Sequence, residues 1–363
     1  MPAGVIAALA GSGRYAFVYN AQDGLEVVDA LNPALLARVG GLATLIDPWQ
    51  VTVHNAYAYV VEQPLAGDNW KQEPNAVKIV AISDPSHASV VGVYRPAGTK
   101  VNTLTVAGNY AYVGTQTDVF TETGTLNFVN IADPAHPAEV AVYKIPGATS
   151  TAIGPIVILD HYAYASSQGK LYVLDIADPS HPQLVGTYTP NQAGIICMAQ
   201  QNGYIYLGLS NGAMEIINVS NPATPIKAGT IATQYYAIDI AVSGQYVYMV
   251  SGLASDIGAL YVLDISDPAN PKQAGRFDLD ITGQIAVVAN TVYITSPVSG
   301  TGGVRVIDTS EPSSLHQTSF YGTGTAIDVA VSGAFVYTAA GSNGLFNLQA
   351  VTLTPRVYLP LTE

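Results

Sequence analysis

Three of the six histidines, His87, His136 and His181, stand three residues after Asp84, Asp133 and Asp178, and each of those aspartates precedes a proline. An Asp–His pair at that spacing could ligate a metal or pass a proton, and three of them invite a metal centre. Carried by successive repeats, such pairs face different sectors and cannot converge on one ion. The same place holds Thr224 and Asn270 in other copies, so the pairs read as turn residues. A wider series precedes proline: Asn32, Asp84, Asp133, Asp178, Asn221, Asp267 and Glu311. A ring of calcium sites would need a second acidic group at ligand spacing, which none of them has. Short Asx side chains bond the backbone just downstream while proline fixes φ and ends a strand, so a turn is expected. Gly208-Leu209-Ser210-Asn211-Gly212 carries the letters of a nucleophile elbow, but that motif works on a strand-to-helix turn of an α/β sheet. Cys197 is the single cysteine, which excludes disulfides and cysteine-built zinc sites. It lacks the cationic neighbours that make a thiolate, and reads as a buried apolar sulfur beside Met198. Asn218-Val219-Ser220 fits a glycosylation acceptor at a strand end, a match common by chance. No phosphate-binding loop, dinucleotide fingerprint or zincin helix occurs. Neither a catalytic residue, a metal nor a cofactor is expected.

The elements that hold these residues repeat. An aromatic-x-Tyr-aliphatic signature reads Tyr57-Ala58-Tyr59-Val60, Tyr110-Ala111-Tyr112-Val113, Tyr204-Ile205-Tyr206-Leu207 and Tyr246-Val247-Tyr248-Met249, with variants from Tyr15, Tyr162, Thr291 and Phe335. The eight anchors lie 42 to 53 residues apart, and the two long steps carry insertions of about ten residues. Each copy holds four short runs of period two, punctuated by Gly, Pro, Asn and Asp, which we name strands A to D. No segment has the 3.6-residue period of an amphipathic helix. Four antiparallel strands cannot bury both faces alone, but sheets repeated round a ring pack on one another, which predicts an all-β β-propeller. Five residues before the anchors stand Ala10, Thr52, Thr105, Val157, Ala199, Ala241, Ala286 and Ala330, small or β-branched as a crowded inner strand requires. Strand A of the first copy falls at Val5 to Ala10, and Arg356 to Leu359 can supply strand D of the last. Eight blades of four antiparallel strands, in one domain over residues 1–363, are therefore expected, with seven blades as the alternative.

Composition narrows the partners. The 363 residues are 49% apolar and only 11% charged, with 26 acidic against 13 basic residues and a net charge of −13. That charge repels phosphate backbones and anionic membranes, so no nucleic-acid partner is expected. No apolar run approaches a membrane span. Met1 to Ala10 suits a strand better than a signal peptide, having no basic start.

Strand C and its turn carry a further signature: Leu171-Tyr172-Val173-Leu174-Asp175-Ile176-Ala177-Asp178-Pro179 and Leu260-Tyr261-Val262-Leu263-Asp264-Ile265-Ser266-Asp267-Pro268. Leu25-Glu26-Val27-Val28-Asp29 and Val304-Arg305-Val306-Ile307-Asp308 repeat it. With Ala241 to Tyr248, this resembles the LVIVD-repeat family. The resemblance implies a propeller-type domain and an exported or cell-surface microbial protein, and it transfers no catalytic motif. The first aspartate is replaced at Ala81, Asn130, Asn218 and Gln349, which makes it a structural preference.

Loops on a rigid scaffold carry function, and the B–C and D–A connections share one face. Both insertions are B–C loops, Glu62 to Asn75 with Trp70 inside, and Gln116 to Thr125. Trp49, Tyr235 and Tyr236 fall at D–A junctions of that face. Seven residues before the anchors, at the channel mouth, stand Gln50, Thr103, Asp239, Gln284 and Asp328. The expected ligand-binding set is Trp49, Gln50, Trp70, Tyr235, Tyr236, Asp239, Gln284 and Asp328, taking a glycan, peptide or surface polymer. Three functions are compatible with this: a non-catalytic extracellular binding or adhesion module, a self-associating subunit of a surface layer or filament, or an enzyme at the channel mouth. The last would need converging carboxylates, and Asp239 and Asp328 are two repeats apart.

Overall fold

The computed structural model describes residues 6–12, 15–20, 24–29, 37–42, 48–62, 75–84, 87–97, 100–116, 124–146, 152–191, 193–253, 257–280, 283–296, 302–324, 328–332, 335–339 and 345–349, with side chains from 50 to 320 except 51, 288 and 302. The described residues form eight antiparallel sheets, each built from strands consecutive in sequence. Seven have four strands, and the eighth has three described strands, the last at Leu345–Gln349. The fourth strand expected at Arg356 to Leu359 lies outside the described residues. Innermost are the A strands: Ile6–Ser12, Pro48–His54, Lys100–Ala107, Ile156–Leu159, Ile195–Gln201, Tyr236–Ser243, Ile285–Val288 and Asp328–Ser332. Each touches the next and the last touches the first, closing a ring. The chain is a β-propeller, and the helical turn described is Pro312–Ser314.

The repeat signature explains the pairing. The second aromatic of each signature is buried, as at Tyr59, Tyr112, Tyr164, Tyr206, Tyr248 and Tyr293. Directly across from these rings stand Thr52, Thr105, Val157, Ala199, Ala241 and Ala286. The small residue thus makes room for a cross-strand ring, a more local cause than crowding at the axis. The A–B turns are two residues long, and Asn55, Asp160 and Asn202 adopt the positive φ that such turns need.

The core lies in the seams between sheets. Tyr59, Val61, Val77, Ile79 and Tyr94 of the second blade pack on Val101, Leu104, Val113 and Val129 of the third. Equivalent clusters join the third to the fourth blade and the fifth to the sixth.

The D strands hold the seams from outside. Every described C–D pairing shifts register at the same point, as at Val173/Leu174, Ile216/Ile217 and Val262/Leu263. Such a bulge twists an outer edge away from further pairing. The residue just past it is glycine in the second, fourth, fifth and sixth blades, at Gly92, Gly186, Gly229 and Gly275, and Ala141 and Ser319 in the third and seventh. A Cβ on these glycines would overlap the carbonyl oxygen of Pro134, Pro222, Pro268 or Pro312 in the next blade. Glycine here lets the next blade's proline turn seat on the sheet.

Candidate functional site

The chemistry-bearing turns on the C–D face are self-contained. Asp133 and Asp178 each accept the backbone N–H two residues on, at 3.1 and 3.0 Å. His87, His136 and His181 place Nδ1 at 2.8, 2.8 and 2.9 Å from Oδ2 of their own aspartate. Asn270 donates to Asp267 in the same way at 2.9 Å. The side-chain bonds from Ser180 and His181 hold the Asp178 carboxyl down at about 2. Among the described residues no three His, Cys, Asp or Glu group as metal ligands. Ser210 Oγ accepts the Gly194 N–H at 2.9 Å, so the elbow-like motif ties the B–C turn of the fifth blade to the segment just before its strand A. Asn218 Oδ1 accepts the Ser220 N–H at 2.9 Å in the same Asx geometry as Asp264 and Asp308. Cys197 is buried, and burial pushes its thiol well up.

On the opposite face, the inner strands open with a common kink. Strand A shifts register at Pro48/Gln50, Ile195/Cys197 and Ala237/Asp239, and the residue after the bulge is seven before the anchor. Its side chain reaches the next blade. Gln50 donates Nε2–H to the Leu104 carbonyl at 3.1 Å and accepts the Leu104 N–H through Oε1 at 3.0 Å. Asp239 accepts the Ile285 N–H at 3.0 Å and its neighbour Ile240 N–H at 2.8 Å. Burial raises the Asp239 carboxyl to about 6. Gln50 and Asp239 are therefore clasps between blades as well as residues of the channel mouth. Gln284 is exposed there, and its backbone N–H bonds Thr295 Oγ1 at 2.8 Å. Asn102, at a bulge of the third blade, donates to the Ile153 carbonyl of the fourth at 2.7 Å. It belongs to the same set of clasps, and its sequence position eight before an anchor was the available signal.

The aromatics do not all fall at junctions. Trp49 lies within strand A of the second blade, where the extended strand begins at Pro48, and its side chain lies outside the described set. Trp70 and the side chain of Asp328 also lie outside it. Tyr235 and Tyr236, both partly exposed, sit where the sixth blade begins, and Tyr236 pairs with Gly252. Strands B and C of that blade run on to Tyr246–Leu253 and Ile257–Asp264, through Ser251 and Gly252, residues of turn-forming type. Leu253 pairs with Ile257, and both are more than half exposed. The described ends of the two strands thus expose two apolar side chains beside Tyr236. The flanking Leu253 and Ile257 were the overlooked signal, masked by Gly252, Ser251 and Ser255 in the sequence.

Buried polar groups line the seams outside the mouth. Tyr94 of the second blade donates to Glu139 of the third, and Asn127 Nδ2 donates to the Tyr94 hydroxyl at 2.7 Å. Tyr188 of the fourth donates to Glu215 of the fifth at 2.5 Å, with Lys227 Nζ at 3.3 Å from the same carboxylate. Arg305 pairs with Asp280 across the seam from the sixth blade to the seventh. These three seams thus differ in their partners.

The LVIVD repeat model matches residues 3–44, 98–145, 154–190, 199–233, 236–279 and 323–346, more than half of the chain. The chain belongs to the LVIVD-repeat family. No curated protein matches it. Among solved structures, it is similar to the computationally designed Ika8 protein at TM-score 0.72 and 13% identity, over 96% of this chain and 97% of that one. Sqt1 of Saccharomyces cerevisiae gives 0.72 at 10% identity, over 96% of each chain. BamB of Moraxella catarrhalis gives 0.66 at 10% identity, over 95% of this chain and 94% of that one. At these identities the likeness is one of fold. No helix among the described residues is long and apolar enough to cross a membrane.

Proposed function

We propose that the protein is a non-catalytic binding or adhesion module of the cell exterior, using its B–C/D–A face. The observation that carries this reading is the extended sixth-blade hairpin, whose tip exposes Leu253 and Ile257 beside Tyr235 and Tyr236. Exposed apolar side chains flanked by tyrosines suit a surface that buries part of a partner. Gln50 and Asp239 are engaged in holding the ring, so they contribute through the edges that they leave accessible. The ligand classes that fit are a glycan, a peptide or a surface polymer, and the net charge of −13 disfavours polyanions. Membership of the LVIVD-repeat family supports placement outside the cell.

Expressed protein would be screened against glycans, peptides and cell-surface polymers, together with the double variant Leu253→Ser, Ile257→Ser. Binding by the parent and loss in the variant, with unchanged thermal unfolding, supports this face. Equal binding by both places the site elsewhere. A second reading, a self-associating subunit of a surface layer or filament, draws on the same exposed tip and on Ile226, also well exposed. It requires the parent to run above monomer mass by light scattering and the variant to run as monomer.

A further inference from the structure

The residue seven before the anchor holds a neutral amide in the second blade and a carboxyl in the sixth. Both follow the same strand-A bulge, and both meet the residue six before the next anchor, Leu104 or Ile285. In an antiparallel strand the N–H and C=O of one residue point to the same side. Gln50 uses both groups of Leu104, one as donor and one as acceptor. Asp239 meets the Ile285 N–H at 3.0 Å, with its other oxygen on the Ile240 N–H at 2.8 Å. An ionised carboxylate has no donor for the Ile285 carbonyl on that edge. A protonated one has an O–H to give it, and carries no charge into a partly buried seam.

We propose that Asp239 is a proton-operated clasp between the sixth and seventh blades, gripping Ile285 through one hydrogen bond when ionised and through two when protonated. Acid then tightens the channel mouth at this seam, while the Gln50 clasp between the second and third blades stays indifferent to pH.

The surroundings leave the carboxyl to titrate by itself. The preceding inner strand, Ile195–Gln201, brings the buried Cys197 thiol, which burial keeps neutral. The paired strand Tyr246–Leu253 places Val250 opposite, and Ile285–Val288 follows Gln284; neither of these side chains ionises. On Tyr204–Leu209, Tyr206 is buried in the same core with its phenol pushed up to about 12. Glu215 of Ala213–Asn218 is engaged with Tyr188 and Lys227. No cationic partner appears among the causes of the Asp239 shift, which is burial opposed by the two backbone N–H bonds.

The sign follows from linkage. The native carboxyl binds its proton up to about pH 6, and the unfolded one only to its ordinary value of 3.8. Stability from this group is therefore greatest in acid, declines as pH rises from about 4 through 6, and is gone above. The folding equilibrium changes on the order of a hundredfold across that window. Two reciprocal variants test it, each read as the Tm difference from the parent, which cancels the histidines. Asp239→Gln copies the Gln50 clasp, so its Tm relative to the parent rises from pH 5 to pH 7.5. Gln50→Glu puts a carboxyl against the Leu104 carbonyl, so its Tm relative to the parent falls over the same range. Tm differences independent of pH in both variants overturn the proposal. The parent gives a direct readout if either variant fails to fold: the Asp239 carboxyl carbon resonance and the Ile285 amide should titrate together near pH 6. A midpoint below about pH 4.5 overturns the clasp.

Discussion

Gly229 shows how a single residue sets the fit between blades. It follows the D-strand bulge and faces the Pro268 carbonyl of the sixth blade, where a methyl group has no room. Pro268 belongs to the Asp267 turn, whose i to i+3 bond and Asx bond fix the carbonyl in place. Since neither backbone can retreat, Gly229→Ala should destabilise the protein by about 1–3 kcal/mol, as overpacking does. A shift of the urea midpoint without a change in slope would register this. Gly244→Ala is the contrast: its Cβ meets nothing, and the only penalty is the positive φ of 60°. Equal losses in the two variants would refute the steric account. In the sequence Gly229 is only one residue of an Ala-Gly-Thr-Ile run. The Asx-Pro turns were legible as turns, because their chemistry is local. What they dock against was not, because it lies a whole repeat away.

Element by element, the strands were readable to within a few residues, since period two and turn residues act over short range. The sixth-blade hairpin broke that rule. Ser251 and Gly252 look like a turn, yet Ser251 pairs with Ala259 and Gly252 with Gly258, so the ladder continues. Residues that tolerate both states leave the choice to the neighbours, and the closing Leu253–Ile257 pair extends the strands. Because both of those side chains project from the tip, replacing them with serine should move stability by no more than about 0.5 kcal/mol. Thermal melts of Leu253→Ser, Ile257→Ser would show it. A loss of several degrees would mean that the tip is packed on the protein and is no docking element. Inner strands behave in the opposite way. Their bulge residues at Gln50 and Asp239 were legible as a polar ring, and their engagement with the next blade depended on register that the sequence does not state.

For the whole molecule, the ring is held by seams, and those from the second to the third, the fourth to the fifth and the sixth to the seventh blade each combine an apolar cluster, a polar pair and a seated turn. The insertion between Glu62 and Asn75 connects strands B and C of the second blade. Strands B and C of the second blade are already closed at its base, where Glu62 pairs with Ala76 and its buried carboxylate lies 2.8 Å from Lys78. Val61 and Val77, one step further in, already pack on the third blade. A shortened loop retains every one of these contacts. Loop-closure entropy changes slowly with length, so a shorter connection costs the folded ring little. Deleting Pro64 to Pro74 and joining the ends by a short turn should therefore leave one cooperative thermal transition within a few degrees of the parent. If the insertion contributes to the binding face, the same variant loses ligand in the glycan and cell-surface screen. Retained binding would confine the site to the sixth-blade side of the face. A collapse in Tm or a split transition would instead make the insertion part of the seam between the second and third blades.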